Sequence, residues 1–150
     1  MSQTYHNMLM HVIFSTKERA MSIPPDVRPR LYKYIGKIIQ NNFGYLIRIG
    51  GTEDHIHILF NMKPSVCASN VLRDIKAYSS GWIHKTFRNM SGFAWQAGYG
   101  IFSVSQSRKQ EVIDYINNQE AHHRKMGLRE EIILLLRKNG IEYDEKHLWR

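Results

Sequence analysis

Cysteine is almost missing from this chain of 150 residues: Cys67 stands alone, so no intramolecular disulfide can form and nothing points to an oxidising compartment. Proline is sparse, at four residues, and no Pro/Gly-rich linker divides the chain, which suits one domain with its own core. Acidic residues are short too. Asp and Glu total 13 against 21 Lys and Arg, a surplus of 21 − 13 = 8 positive charges. A surplus of that size in a small domain favours a polyanionic partner, usually nucleic acid, although charge alone does not exclude a merely soluble basic protein. No apolar run approaches the length of a membrane span, and Met1-Ser2-Gln3-Thr4 lacks a basic segment leading into an apolar one. We therefore expect a cytoplasmic, non-membrane protein.

What the chain does have is a short run in which two histidines bracket one aliphatic residue: Asp54-His55-Ile56-His57-Ile58-Leu59-Phe60. Read as a strand, it sends Ile56, Ile58, Phe60 and Met62 one way and His55, His57, Leu59 and Asn61 the other. The two imidazoles then stand roughly 6.6 Å apart along the strand, within reach of one cation. A polar-out strand that carries two histidines is the plain alternative, and the motif alone does not choose between them.

Around that run the expected order is β-α-β-β-α-β followed by two more helices. Residues 5–16 alternate as strand one. Asp26 can cap a first helix whose opening turn tolerates Pro29, with an apolar stripe of Val27, Leu31, Tyr34, Ile35, Ile38 and Ile39. Tyr45 to Ile49 is strand two, and Gly50-Gly51 turns into the histidine strand. Ser65 can cap helix two, over roughly 66–88, with Leu72, Ile75, Trp82 and Ile83 facing a core and Arg73, Lys76, Ser80 and His84 on another face. Phe93 to Ser105 reads as strand four, its glycines suggesting a bulge or a close backbone approach. Ser107 and Gln110 form a capping box for helix three, over about 108–124, and Leu128 to Lys138 is a last amphipathic helix stopped by Asn139-Gly140. This is the split βαβ order of an α+β, ferredoxin-like antiparallel sheet with extra C-terminal helices. It places strands one and three in the middle and His55 and His57 on the open face.

Helix three carries Tyr115 and Gln119 four residues apart, on one helix face. A packed tyrosine with a wet hydroxyl is the plain reading. The chemical reading is a tyrosine nucleophile beside an amide oxygen that ligates a metal. Phenol, with an ordinary pKa near ~10, is a weak nucleophile, and its attack on a phosphodiester needs a cation to polarise the phosphate. Two imidazoles and one amide oxygen would leave positions on Mg²⁺ or Mn²⁺ for phosphate oxygens, whereas a three-cysteine zinc site is impossible here.

Asp54-His55-Ile56-His57, the stretch from Trp95 to Ser105, and Tyr115-Ile116-Asn117-Asn118-Gln119-Glu120 together resemble the single-tyrosine HUH transposases of small bacterial and archaeal insertion sequences. The resemblance runs from Phe14-Ser15-Thr16-Lys17 to Tyr143-Asp144-Glu145-Lys146, so one domain would span 1–150. It implies Tyr115 as nucleophile and His55, His57 and Gln119 as ligands of Mg²⁺ or Mn²⁺; Glu120 and His122 are nearby polar residues to which it assigns no role. It also implies a homodimer, with the tyrosine helix commonly supplied by the other subunit, and a single-stranded DNA partner with hairpins at the element ends. The reaction expected is cleavage and rejoining through a 5′-phosphotyrosine. Lys17, Arg73 and Lys76 are candidate phosphate contacts. Two rivals remain at this stage: a domesticated relative acting on repetitive palindromes, and a non-catalytic ferredoxin-like module that reads RNA bases with aromatics on its open sheet face.

Overall fold

The structure is a computed structural model that describes residues 2–148. The elements follow in the order β1 (Leu9–Ser15), α1 (Arg28–Asn42), β2 (Gly44–Gly51), β3 (His55–Met62), α2 (Ala68–Thr86), β4 (Gly100–Val104), α3 (Lys109–Asn117), α4 (Gln119–His123) and α5 (Leu128–Lys138). The four strands form one antiparallel sheet in the order β2-β3-β1-β4, so the central pair is the expected one. This is an α+β fold of ferredoxin-like topology with C-terminal helices. Among the described residues, no helix is long and apolar enough to cross a membrane.

The period-two pattern of β1 and β3 divides the protein into two layers of side chains. Val12 and Phe14 of β1 join Ile56, Ile58, Phe60 and Met62 of β3 on one face, packed against Leu31, Ile35 and Ile39 of α1 and Val71, Leu72 and Ile75 of α2. Burial of each large aliphatic or aromatic side chain is worth roughly 1.5–3 kcal/mol, so this layer supplies most of the stabilisation. On the other face, Leu59 packs with Ile113 and Ile116 of α3, while Ile13 and Phe102 pack with Leu128 and Ile132 of α5. The sequence order alone left this second face open. The structure corrects that: α3, α4 and α5 cover it, and His55 and His57 are fully buried.

Several boundaries move for identifiable reasons. Residues before Met8 have no strand to pair with, because β3 ends at Met62 and β4 at Val104, so β1 is shorter than the expected 5–16. Strand four shrinks from 93–105 to Gly100–Val104, with Trp95 retaining only a bridge to Thr16. The Lys76 ammonium takes the carbonyls of Gln96 (2.9 Å) and Gly98 (2.6 Å), holding 93–99 as a loop. Asp26 does not cap α1; the Pro24 carbonyl accepts from the Val27 and Arg28 N–H groups instead. Neither Ser65 nor the Ser107/Gln110 pair caps its helix, and Gln110 bonds Asp114 instead. Gly50 and Gly51 belong to β2 rather than to a turn. A Cβ at Gly50 would lie 2.7 Å from the Ile116 carbonyl oxygen, so only glycine lets α3 seat this closely on the sheet.

Candidate active site

Expected helix three is two helices. At Asn118 the backbone leaves the helical region (φ −102°, ψ 21°), and its N–H is shared between the carbonyls of Asp114 and Tyr115. Tyr115 therefore lies in the last turn of α3, which ends at Asn117, while Gln119 opens α4, and both side chains turn to the histidines. In this single chain the tyrosine helix packs on its own sheet. The Tyr115 and His57 ring centroids are 5.6 Å apart.

Each imidazole is held by its Nδ1 edge. His57 Nδ1 meets Nε2 of His11, a buried residue of β1, at 2.7 Å. His55 Nδ1 meets Asp54 Oδ1 at 2.8 Å and Thr52 Oγ1 at 3.0 Å. Anchoring at Nδ1 turns both Nε2 atoms to the same point, as in metal sites where an outer partner orients a ligating imidazole. At that point stands Glu131 of α5. Its Oε1 lies 3.4 Å from His55 Nε2, 3.3 Å from His57 Nε2 and 2.9 Å from His123 Nε2. Its Oε2 accepts from the Tyr115 hydroxyl and, at 3.2 Å, from Gln119 Nε2. The amide oxygen of Gln119 is 2.9 Å from His55 Nε2, and His122 Nε2 is 3.4 Å from the Tyr115 hydroxyl.

The electrostatics follow from burial and mutual contact. Burial resists charging Glu131, yet hydrogen bonds from His123, His55 and His57 outweigh it and hold the carboxyl far below its usual range, so it is ionised. Burial likewise opposes charge on His55, but the contacts with Asp54 and Glu131 bring it up to about 9. For His57 and His11 burial wins: both are lowered, His11 to about 3. Burial and the Glu131 charge push the Tyr115 hydroxyl well above its ordinary value, which keeps it a phenol.

One donor atom from each of His55, His57 and Glu131 lies within 4.8 Å of the others, so the trio suits a metal ion. The chemistry of the set agrees: two Nε2 atoms with their other nitrogens engaged, and one buried anionic carboxylate, match what a divalent cation takes.

Tyr115, His55, His57 and Gln119, singled out from the sequence, thus come together, and His122 joins them. Glu120 does not; it bonds Arg28 at 3.1 Å. Arg73 and Lys76 lie on α2, on the opposite side of the sheet, and Lys17 is exposed just beyond β1. Sequence reasoning missed Glu131, His11 and His123. Glu131 carried a signal, because it interrupts the apolar stripe Leu128, Ile132, Leu135 on the face that must be buried. His11 shared a strand face with Ile13, which pairs directly with His57.

The fold and site together define an α+β protein with a buried His-x-His pair on its central strand and a tyrosine on a C-terminal helix placed over it. The chain belongs to the IS200-like transposase family, whose pattern matches residues 4–119. Glu131 lies beyond the matched residues. Two solved structures share the fold. One is a Deinococcus radiodurans R1 protein described as a candidate transposase (TM-score 0.64, 22% identity, 79% of this chain and 96% of the other). The second is a REP-associated tyrosine transposase bound to a REP hairpin (TM-score 0.60, 15% identity, 82% of this chain and 74% of the other). At these identities the likeness concerns the fold alone. Among curated proteins, none matches the chain.

Proposed function

We propose that this protein cuts and rejoins single-stranded DNA beside a hairpin, with Tyr115 as the nucleophile. The observation that carries the reading is the convergence of the Tyr115 hydroxyl and the His55 and His57 Nε2 atoms on one buried carboxylate. The Tyr115 oxygen attacks the phosphorus of the scissile link and the P–O3′ bond breaks. A 5′-phosphotyrosine forms and a 3′-hydroxyl leaves. Attack by another 3′-hydroxyl reverses the step on a new strand, so bond energy is conserved and no nucleotide cofactor is consumed. Glu131 and His122 hold the phenol in place and lie where its proton must go. His55, His57 and Glu131, with Gln119 beside them, would hold Mg²⁺ or Mn²⁺, which when bound would polarise a phosphate oxygen and offset developing charge.

Hairpin DNA as the substrate is drawn from family membership and from the hairpin carried by the REP-associated relative of like fold. A domesticated role on repetitive palindromes would use this same site. A module reading RNA on an open sheet face is disfavoured, because helices cover that face. Of the three candidate phosphate contacts, Lys17 is exposed and suits a flanking phosphate, Arg73 is exposed but pairs with Asp74 at 3.0 Å on the far side of the sheet, and Lys76 spends its ammonium on two carbonyls. The same reading pairs two chains into a homodimer, with the tyrosine helix commonly exchanged between subunits; sedimentation measures the pairing, and mixing His57→Ala with Tyr115→Phe protein tests the exchange by rescue of activity. The test of function is incubation with hairpin-bearing single strands and Mn²⁺, followed by a denaturing gel. A covalent protein–DNA band is expected from the wild type and none from Tyr115→Phe; no band from either would reject the reading.

A further inference from the structure

The metal-suited cluster occupies only one side of Tyr115. On its other side is a cavity of about 360 Å³ between β4, α3 and α5. We propose that this cavity receives one nucleobase of the DNA strand, that of a nucleotide adjoining the link attacked by Tyr115. The inference rests on Tyr115 being the nucleophile.

Position is the first argument. Tyr115 forms part of the wall, so a group lodged in the cavity touches the side chain whose hydroxyl turns to Glu131. Phe102 of β4 pairs across from His11 of β1, and its ring meets the His11 ring edge-on at a centroid distance of 6.3 Å. The Tyr115 ring stands 6.2 Å from the same His11, so the cavity and the catalytic side share one rigid floor.

Chemistry is the second. Phe102, Val104, Val112 and Leu135 give the cavity apolar walls, which would leave a phosphate unsolvated but suit the face of a base. Its volume falls within the roughly 300–1,000 Å³ of small-ligand sites and is too small for a peptide or protein element. Lys138 stands at the cavity, in a chain of net charge +8, where a phosphate flanking an inserted base would pass. Glu111 also lines it, but its carboxylate accepts two hydrogen bonds from Arg108, both of 3.1 Å. A base entering here must leave its stack, which costs least in a single strand. The cavity therefore supplies a reason for single-strand preference that is separate from the approach of the tyrosine.

The test needs no cleavage. Oligothymidylate and an abasic oligomer of the same length carry the same phosphates. Wild type should bind the thymidylate more tightly by roughly tenfold, the scale of one stacked base. Val112→Phe and Leu135→Phe fill the cavity from two different walls, so at least one folded variant should be obtained, checked by thermal melting. In it the difference should vanish, while affinity for the abasic oligomer persists. A thymidylate strand carrying 5-iodouracil should crosslink on irradiation to Phe102 or Tyr115. Equal wild-type affinities, a preference that survives in the filled variants, or crosslinks confined to other residues would each overturn the proposal. A Tyr115–DNA adduct formed without base preference would remove the cavity's role and leave the nucleophile standing. Base preference and crosslink without any adduct would remove the nucleophile instead.

Discussion

Ile58 and His57 are neighbours in one strand, both fully buried, and they serve opposite ends. Ile58 enters a layer of aliphatic and aromatic side chains whose order comes from shape and water exclusion. His57 enters a layer of imidazoles, amide, phenol and carboxylate, in which every buried polar group must find a partner or cost the fold dearly. The apolar layer tolerates change in proportion to volume. The polar layer is intolerant for another reason: removing one member leaves the others buried and unpaired. The molecule thus keeps its largest apolar layer on one side of the sheet, and on the other a buried polar cluster set between two smaller apolar ones.

The widest separation should appear between His57→Ala and Ile58→Ala. Loss of His57 should lower cleavage by well over the roughly 10–100-fold that losing an outer-shell partner costs. Ile58→Ala should instead cost about 2–5 kcal/mol of stability and leave the folded fraction nearly as active. Denaturant titration beside cleavage assays at equal folded concentration makes the comparison, and equal loss of activity in both would erase the distinction between the faces.

Next is Glu131→Gln, which keeps size but removes the charge that faces both Nε2 atoms. Affinity for Mn²⁺ by calorimetry should fall by roughly 10–100-fold, a scale borrowed from altered ligand shells. Unchanged Mn²⁺ affinity would remove the carboxylate from the candidate centre.

A smaller effect concerns pH. Burial first, and then His57, lowers His11 to about 3, below its ordinary 6.5. The unfolded chain therefore takes up this proton before the folded one does. The associated stability is present above pH 6.5 and is lost as pH falls toward 3. In chelator, lowering the pH from 7 to 5 should cost about 2 kcal/mol through His11. His11→Gln, which does not titrate, should lose correspondingly less. Identical melting curves across that interval would show that His11 is not held neutral.

Least of all should be Arg73→Ala, at an exposed position on the apolar-layer side. Stability should change by no more than about 0.5 kcal/mol. If Arg73 meets a flanking phosphate, the salt slope of DNA binding should fall by about 1, and an unchanged slope would strike it from the contacts.

The same contrast explains what could be read without a structure. The alternation in Ile56, Ile58 and Phe60 is a local consequence of strand geometry, so it forecast both the core face and the facing of His55 and His57. The central place of β1 and β3 followed from element order. Tyr115 and Gln119 were legible as types suited to the chemistry. Their arrangement was not, because the break at Asn118 is set by how α3 and α4 dock on the sheet. Glu131 marked itself only as an acidic break in an apolar stripe; its partner was hidden by distance, because 74 residues separate it from His57 and a glutamate in a helix's first turn is also favoured by the dipole. The covering of the histidine face by α5 is likewise a matter of long-range packing.

The central claim is that the polar layer exists to make Tyr115 a nucleophile toward a phosphodiester. The most direct measurement is mass spectrometry of the protease-digested covalent product formed with a hairpin-bearing single strand and Mn²⁺. The account predicts one modified peptide, carrying a 5′-phosphonucleotide on Tyr115 and absent from Tyr115→Phe. A nucleotide attached to another residue, or an adduct that persists in Tyr115→Phe, would contradict it.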